Sequence, residues 1–348
     1  MGVAIKDLLP TKEIQITELR GKVIAVDAMN MIYQFVTTIR QHDGTPLKDR
    51  NGKVTSHLTG LFSRVMKLME KGLKLVFVFD GKMPSLKAEE RKRREKLKAE
   101  ALADYQRAEA SNDVEGMKKY ASRTSKVTKE IIEESKDLLR AMGLPVVQAP
   151  SEGEAQASYM VRKGDADLVS SQDIDCMIYD APRVVRNLSL SQKRKKINAL
   201  TYSTILPETI SLDEVLSSLE ISLDQLRVLA ILVGTDFDVG GVKGLGPKKS
   251  LALVRKYGDS MDDFDSLFKE VNFEEYFPVG WRAVFDTIKN MLTTDDYDLE
   301  WKPLDKEAII DLLVNKHDFS KERVLDKINS LEKELKKARQ TGLSQFFG

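Results

Sequence analysis

Largely apolar runs that stop at an acidic residue recur along the first half of the chain. Val23–Val26 and Leu73–Phe79 end at Asp27 and Asp80, and a third run leads to Asp173. Short runs of this kind, rich in β-branched and aromatic residues, are typical of buried strands. The pattern therefore predicts several buried strands with an acidic side chain at the carboxyl end of each.

Segments with helical spacing separate these runs. Between His57 and Lys71 the apolar side chains recur at intervals of three and four residues, which indicates an amphipathic helix. Strands that alternate with helices indicate an α/β fold, in which a doubly wound, largely parallel central sheet carries helices on both faces. Ligands of such sheets bind outside the carboxyl ends of the strands. Asp27, Asp80 and Asp173 are therefore expected to meet at one edge.

The stretch Pro150–Asp175 contains two pairs of carboxylates, Glu152/Glu154 and Asp173/Asp175, each with one residue between its members. In extended chain this spacing points both side chains to one side. Two carboxylates about 4 Å apart repel by roughly 4 kcal/mol at an effective dielectric near 20. Because hard divalent cations prefer carboxylate oxygens, we interpret the cluster as a metal site.

Two local explanations compete with a metal site. Ser151, followed three residues later by Glu154, also fits a capping box that begins a helix. Asp173 and Asp175 taken alone also fit a polar exit from a strand. Neither explanation accounts for the acids at the ends of the other predicted strands, so their coincidence favours one shared acidic site.

Residues 84–135 depart from the alternating pattern. From Ser85 to Arg107 there are eight basic and five acidic residues, and no acid lies between Lys118 and Lys129. The segment is predicted to be a helical insertion that is too polar on all faces to be core. A solvated charged helix without a ligand is the alternative. The net charge of +1, from 55 basic and 54 acidic residues, would argue against a nucleic-acid partner, but these cations are clustered.

A second basic cluster follows position 206, where the pattern becomes mostly helical. The periodic helix Leu223–Val233 leads into a glycine-rich loop, and five basic residues without an acid lie from Lys243 to Lys256. The loop does not follow a strand, so the fit to a dinucleotide fingerprint is poor. Bare glycine N–H groups beside lysines favour a nest for a DNA phosphate. An ordinary helix–helix turn is the alternative.

Composition limits the remaining classes. With 348 residues, 42% of them hydrophobic, the chain can bury a large core in one or two domains. The single Cys176 excludes an internal disulfide, and three separated histidines make a Cys/His zinc site implausible. The sequence shows neither a leader nor an apolar run of about 18 residues. We therefore expect a soluble, intracellular protein without a membrane span.

Taken together, these motifs resemble the flap endonuclease family of structure-specific 5′ nucleases, in its archaeal form. The resemblance covers nearly the whole chain and includes V-F-V-F-D-G-K at Val76–Lys82, A-P-S-E-G-E-A at Ala149–Ala155, S-S-Q-D-I-D at Ser170–Asp175 and L-V-G-T-D-F at Leu232–Phe237. It implies an Mg²⁺-dependent 5′ flap endonuclease with 5′–3′ exonuclease activity. Such an enzyme would cleave flaps at the junction of single strand and duplex, in Okazaki fragment maturation and long-patch base excision repair.

The resemblance also implies roles for individual residues. One divalent ion, Mg²⁺ or a substituting Mn²⁺, would belong to Asp27, Asp80, Glu152 and Glu154, and a second to Asp173, Asp175 and Asp236. Lys87 and Arg94 would polarise the phosphate, and a nucleotide would stack on Tyr33. Glu152, Gly234 and Asp236 would contact the substrate. DNA would also be bound by Arg40, Lys243, Gly244, Gly246, Lys248 and Lys249, with K⁺ at the glycine hairpin.

The family pattern divides the chain into a nuclease domain, 1–335, and a flexible tail, 336–348. Within the domain it implies an N-terminal region of about 1–100, a helical arch for the flap at about 84–135, and an internal region of about 140–260 with a helix-two-turn-helix at about 225–257. The tail residues Gln340, Leu343, Phe346 and Phe347 resemble the box that binds the sliding clamp PCNA. Packing of the two phenylalanines onto the domain itself is the alternative. We expect a monomer in the archaeal cytoplasm, near the nucleoid.

Two other functions remain open at this stage. One is a DNA-junction binder that has lost catalysis, although all seven carboxylates are present. The other is a related 5′ nuclease that prefers bubbles or four-way junctions. Cleavage assays on flap, bubble and four-way substrates separate the three.

Overall fold

The computed structural model describes residues 3–111, 113–121, 124–188, 193–195 and 202–344. Its strands are β1 (Lys12–Glu13), β2 (Val23–Asp27), β3 (Lys74–Phe79), β4 (Val146–Gln148), β5 (Leu168–Ser170), β6 (Arg183–Arg186), β7 (Lys193–Lys195), β8 (Tyr202–Thr204) and β9 (Glu208–Ser211). Seven of these form one sheet in the order β1-β9-β6-β5-β2-β3-β4, and β7 pairs with β8. Neighbours from β4 to β6 are parallel, whereas β9 is antiparallel to both β6 and β1.

The helices surround this sheet. They are α1 (Ala28–Thr38), α2 (Ser56–Gly60), α3 (Met66–Glu70), α4 (Ala88–Ala110), α5 (Val114–Ala121), α6 (Lys129–Ala141), α7 (Gly153–Lys163), α8 (Asp175–Ile178), α9 (Leu212–Leu219), α10 (Leu223–Val233), α11 (Pro247–Lys256), α12 (Met261–Glu270), α13 (Phe273–Tyr276), α14 (Trp281–Lys289), α15 (Lys306–Ile310) and α16 (Lys321–Ser344). Short 3₁₀ turns lie at Lys6–Leu8, Ile16–Leu19 and Ser85–Lys87, and π-helical turns at Leu61–Val65 and Asp311–Lys316.

Alternate residues of the parallel strands face two separate cores. In β2, Ile24 and Val26 pack into one cluster, and Ala25 packs into the other. This alternation follows from the two-residue period of a strand. Since both faces are covered, the strands read as continuous apolar runs. The predicted fold class, a largely parallel α/β sheet between helices, is confirmed.

The strand order places the acidic residues together. Strand β2 lies between β3 and β5, so the chain leaves β2 towards β3 on one side and later returns on the other. Such a reversal opens a crevice at the carboxyl ends of the strands. Asp27 ends β2, Asp80 directly follows β3, and Asp173 follows β5 by a short loop.

The polar insertion ends earlier than the sequence indicated. Helices α4 and α5 form most of residues 84–135, but α6 begins at Lys129 and buries Ile131 and Ser135. Its apolar residues recur on one face and join the core beside β3. The count of charges obscured this face, because the charges of an amphipathic helix lie on its exposed side and a count does not show on which side they lie.

Helices flank the glycine loop and also form part of the predicted C-terminal tail. Helices α10 and α11 flank the glycine loop, as expected for a helix–hairpin–helix arrangement. Helix α16 extends through Ser344, so the backbone of Gln340 and Leu343 is helical. Phe346 and Phe347 lie outside the described residues, and the clamp-binding tail stays a prediction.

Candidate metal and nucleic-acid site

The loops at the carboxyl edge of the sheet bring all seven predicted carboxylates within electrostatic reach of one another. Asp27 is influenced by Asp80 and Asp173, and Glu154 by Asp175, Asp27 and Asp173. Glu152 is influenced by Asp80 and Asp236. One continuous acidic site therefore draws residues from five separate stretches of the chain.

Ser171 is the centre of the deeper part of this site. Its Oγ lies 3.1 Å from Oδ2 of Asp27 and 2.9 Å from Oε1 of Glu154, and it accepts a hydrogen bond from the Asp173 N–H at 3.1 Å. A hydroxyl has one proton to donate. One of the two carboxyl contacts therefore needs a proton on the acid when no cation is bound.

Local structure fixes the orientation of the other deep acids. Asp27 is the N-cap of α1 and accepts from the Asn30 N–H at 3.0 Å. The Asn30 side chain in turn donates to Asp173 at 3.2 Å. Asp175 begins α8 and accepts from the Val3 N–H at 2.7 Å. The amino-terminal segment thus supports an acid 172 residues away.

The expectation of extended chain holds only for Glu152 of the pair Glu152/Glu154. Glu152 has extended backbone as the N-cap of α7, whereas Glu154 lies in the first turn of that helix. The alternative capping box is absent, because the Ser151 hydroxyl donates to the carbonyl of Lys82. The turn is instead held by Gly153, whose N–H donates to Oδ1 of Asp80 at 2.7 Å. A Cβ on Gly153 would lie 2.8 Å from that oxygen, so glycine permits the close approach.

Two basic side chains of the insertion close the outer part of the site. Lys87 forms an ion pair with Glu152 and lies 3.4 Å from Oδ2 of Asp236. Arg94 donates to Oδ1 of Asp236 at 2.7 Å. Lys87 also lies 5.2 Å from the centre of the Phe237 ring. Although burial alone would lower the pKa of Lys87, Glu152 and Asp236 raise it, so the ammonium stays charged.

Burial and mutual repulsion raise the pKa values of the deep acids. Desolvation, with the charge of Asp80, raises the pKa of Asp27 from 3.8 to about 7. Desolvation raises the pKa of Asp175 to about 6, against the hydrogen bond from Val3. Desolvation and the charges of Asp175 and Asp27 raise the pKa of Glu154 well above its usual range. The cluster is therefore short of positive charge.

The donor chemistry of the site fits divalent cations. Within the described residues, no three His, Cys, Asp or Glu side chains are already arranged to hold a metal ion. Lys87 and Arg94 neutralise the outer carboxylates instead. The donors are all carboxylate oxygens, which hard cations prefer. Divalent ions could thus bind once the two cations turn away from the acids and the deep carboxyls release their protons.

The other residues predicted to contact DNA lie on α1, at the end of α10 and around the start of α11. Tyr33 lies one turn beyond Asn30 on α1, is 41% exposed, and has Lys98 over its ring at 5.7 Å. Lys243, Gly244, Gly246, Lys248 and Lys249 are exposed around the start of α11. Gly234 ends α10 with φ of +108°, and a Cβ there would lie 2.5 Å from the N of Gly241.

Arg40 is largely engaged within the chain. Its guanidinium donates to the carbonyls of Thr37, Gly44 and Val36 and to the Ser125 hydroxyl. It ties the end of α1 to the loop after it and to the segment before α6. Its predicted DNA contact stays a prediction, in which a phosphate would compete with these partners for the guanidinium donors.

Sequence reasoning missed three supporting residues, Ser171, Asn30 and Glu90. Ser171 and Asn30 each lie within three residues of a predicted ligand, so proximity to the acidic motifs was their available signal. Glu90 had no such signal, since it is one of several acids in a charged helix. Its burial depends on the conformations of the Arg93 and Arg94 side chains, which cover it in the structure.

Two parts of the chain match family models of XPG nucleases. Residues 3–101 match the XPG N-terminal domain, and residues 143–236 match the XPG I-region. The first match contains Asp27, Asp80, Lys87 and Arg94. The second contains the other five acids of the site, Glu152, Glu154, Asp173, Asp175 and Asp236. The fold and the site thus define the class as XPG-type nucleases.

Full-length relatives narrow this class. Flap endonuclease 1 of Pyrococcus abyssi is 48% identical over 347 residues, covering 100% of this chain and 98% of the relative. Flap endonuclease 1 of Aeropyrum pernix is 46% identical, with 100% of each chain covered. The structure is similar to flap endonuclease-1 from Methanococcus jannaschii, with a TM-score of 0.75, 40% identity, and coverage of 97% of this chain and 100% of that one. The chain belongs to the flap endonuclease 1 family of structure-specific, metal-dependent nucleases.

Proposed function

We propose that this chain cleaves 5′ flaps in branched DNA at the junction of single strand and duplex, and that it also degrades 5′ ends as an exonuclease. The observation that carries this proposal is the meeting of seven carboxylates with Lys87 and Arg94 at the open edge of the sheet. Acids alone would suit many metal enzymes. Acids with cations from a basic helical insertion suit a phosphodiester substrate.

The seven acids would hold two divalent ions, Mg²⁺ or a substituting Mn²⁺. Asp27, Asp80, Glu152 and Glu154 would serve one ion, and Asp173, Asp175 and Asp236 the other. Bound divalent ions supply charge stabilisation at the scissile phosphate and lower the pKa of the attacking water. The raised pKa of Asp27 supports this assignment, because a buried carboxyl that lacks a counter-charge favours a bound cation.

The chain's own cations would act on the phosphate. Lys87 and Arg94 would exchange their present carboxylate partners for non-bridging phosphate oxygens, where negative charge increases in the transition state. Tyr33 offers an exposed ring for the neighbouring base to stack on. Water adds to phosphorus as the P–O3′ bond breaks, which leaves a 3′-hydroxyl and a 5′-phosphate.

DNA binding would be distributed over two basic surfaces. Helices α4 and α5 would form the arch that holds the single-stranded flap by its backbone. The hairpin before α11 would hold duplex phosphates through Lys243, Gly244, Gly246, Lys248 and Lys249, with K⁺ bound there. Glu152, Gly234 and Asp236 would contact the substrate at the site, and Arg40 beside it.

The cellular role follows from this activity. The protein would process Okazaki fragments and long-patch repair intermediates as a monomer, recruited to PCNA through Gln340, Leu343, Phe346 and Phe347. Among the described residues no helix has the length and apolar character needed to cross a membrane. We place the protein in the archaeal cytoplasm, at the nucleoid.

Cleavage of matched flap, bubble and four-way substrates tests the proposal. With Mg²⁺, flap cleavage at the junction should be fastest, and EDTA should abolish it. Asp173→Ala should abolish cleavage while flap binding survives, because the acids hold cations and the basic surfaces hold the DNA. Faster cleavage of bubbles or four-way junctions would assign the related activity instead. Flap binding without cleavage in the wild type would identify a non-catalytic junction binder.

A further inference from the structure

Glu90 is a buried acid on an otherwise exposed helix. The buried residues of α4 are Glu90, Ala101 and Ala108, and Glu90 is only 4% exposed. Glutamate is among the residues that are least often fully buried unless they are paired. Helix α4 has no continuous apolar face to bury, so the position of Glu90 needs another cause.

Two arginines of the same helix cover Glu90. Arg93 donates to Oε2 at 2.6 Å through Nε and to Oε1 at 2.9 Å through its terminal nitrogen. Arg94 donates to Oε1 through Nε. Although desolvation alone would raise the pKa of Glu90, the hydrogen bonds from Arg93 and Arg94 lower it. Both carboxylate oxygens are therefore engaged, and the side chain is anionic at neutral pH.

Arg94 extends from Glu90 to the acidic site. Its Nε contacts Glu90, and its terminal nitrogen lies 2.7 Å from Oδ1 of Asp236, which is 142 residues away in sequence. The guanidinium thus bridges its own helix and the loop after α10. Because the group is planar and its donors have fixed directions, contact with Glu90 through one edge determines where the other edge points.

Lys87 is held differently. Among the described residues its ion-pair partners are Glu152 and Asp236, which both belong to the site itself. Arg94 lies seven residues after Lys87, about two turns along the helix, and has a longer side chain to hold in place. An intrahelical carboxylate is therefore more useful to Arg94 than to Lys87, since an ordered charge needs less rearrangement during the reaction.

We propose that Glu90 is a positioning residue for cleavage, which holds the Arg94 guanidinium towards the carboxylate site before and during phosphate binding. The inference rests on the proposed role of Arg94 in the reaction. Glu90 itself faces Arg93 and Arg94 and does not touch the reacting atoms. The competing explanation is that Glu90 only stabilises the helix. It predicts that the cleavage rate lost on replacing Glu90 is the same with and without Arg94.

A double-mutant cycle separates these explanations. Glu90→Gln, Arg94→Ala and the double variant are compared in single-turnover cleavage of a saturating flap substrate with Mg²⁺. Glu90→Gln should lower the rate by about tenfold, as expected for a misplaced catalytic group, with flap affinity changed by less than about twofold. In the Arg94→Ala background the same change should cost nothing further, because coupled residues are not additive. Glu90→Asp, which keeps the charge on a shorter side chain, should restore part of the rate.

Glu95→Gln is the matched control, since Glu95 lies on the same helix and pairs with Arg91 at 3.0 Å in an exposed position. Its cleavage rate should equal that of the wild type, and circular dichroism should show the same helix content in every variant. A wild-type rate for Glu90→Gln, or an equal loss with and without Arg94, would overturn the inference. A wild-type rate for Arg94→Ala would instead refute the proposed role of Arg94.

Discussion

At the scale of single residues, the acidic site favours function over the stability of the cation-free chain. The pKa of Asp175 is raised to about 6 in the folded protein, from 3.8. A carboxyl with a raised pKa contributes stability that is fully present below the unfolded value and is lost as the pH rises through the folded value. Above pH 6 the charged Asp175 therefore opposes folding unless a cation is bound.

Replacement of Asp175 by Asn should reveal this opposition. Without divalent ions at pH 7.5, Asp175→Asn should raise the free energy of unfolding by on the order of 1–3 kcal/mol, because the charge is removed and an oxygen remains for the Val3 N–H. Near pH 4 the gain should vanish. Flap cleavage with Mg²⁺ should be lost. Thermal or urea unfolding in EDTA at the two pH values measures the stability.

Asp167→Asn provides the opposite control. Asp167 pairs with Lys22 at 2.9 Å and accepts from the Val23 N–H at 2.8 Å. Although partial desolvation raises the pKa of Asp167, these contacts lower it overall, so its replacement should reduce stability at pH 7.5. A destabilised Asp175→Asn variant would show that the negative charge of Asp175 supports the fold.

At the scale of elements, helix α11 and helix α4 use their charges differently. The cations at the base of α4 turn inwards to acids, as Lys87 does towards Glu152. Lys248 and Lys249 at the start of α11 are exposed, and the helix begins without a side-chain cap at Gly246. A helix start with free N–H groups and nearby lysines attracts phosphate. Loss of charge should therefore affect rate at α4 and affinity at α11.

Lys248→Ala and Lys249→Ala should each weaken flap binding and reduce the slope of log affinity against log salt by about one. The single-turnover rate at saturating DNA should change little, because both side chains are exposed at the start of α11 and neither belongs to the proposed metal-binding or phosphate-polarising residues. Lys256→Ala is the control, since Lys256 lies at the other end of α11 and pairs with Glu270 at 2.8 Å. An unchanged salt slope in the first two variants would remove the hairpin from the DNA interface.

The end of α16 offers a second test at this scale. Val324, Ile328 and Leu331 bury the first half of this helix against the domain, so truncation after Arg339 spares that packing. Cleavage of free flaps should be nearly unchanged, whereas stimulation by the cognate clamp should disappear. Full-length and truncated proteins are compared with and without clamp at physiological salt. Undiminished stimulation of the truncated form would show that the tail is not the tether.

At the scale of the whole molecule, cation binding and folding are coupled through the sheet edge. The acids come from strands, loops and helix starts of both matched family regions, so their repulsion acts on the packing of the entire domain. A ligand that binds the folded state adds RT ln(1 + [L]/Kd) to its stability, about 2.7 kcal/mol at a hundredfold excess over Kd. Protons compete with the cation for the same carboxylates.

Mg²⁺ should therefore raise the unfolding temperature more at pH 8 than at pH 5.5. The pKa of Asp27 is raised to about 7, so at the lower pH its proton must leave before the cation binds. Scanning calorimetry with Mg²⁺ and with EDTA at both pH values gives the two increments, with Asp175→Asn as the variant in which they should shrink. Equal increments at the two pH values would mean that the cation binds away from these acids.

Periodicity and the positions of the acids were sufficient to predict the class of fold and the acidic edge. A strand such as Val23–Asp27 is encoded locally, because its apolar run is long enough to be buried on both faces and ends at a charge. Parallel strands then bring their carboxyl ends to one edge. Asp27, Asp80 and Asp173 could be placed together for this reason without knowledge of any contact.

The directions and environments of the side chains could be read only from the folded structure. Periodicity states which face of a helix is apolar, but it does not state what covers a polar residue. It therefore could not show that Glu90 is buried beneath Arg93 and Arg94. Nor could it show that the Arg40 guanidinium donates hydrogen bonds to other residues of this chain. Arg94 also reaches Asp236, 142 residues away, and Arg40 reaches Ser125, 85 residues away. Both arrangements therefore depend on contacts across the fold and on the desolvation that packing imposes on each charge.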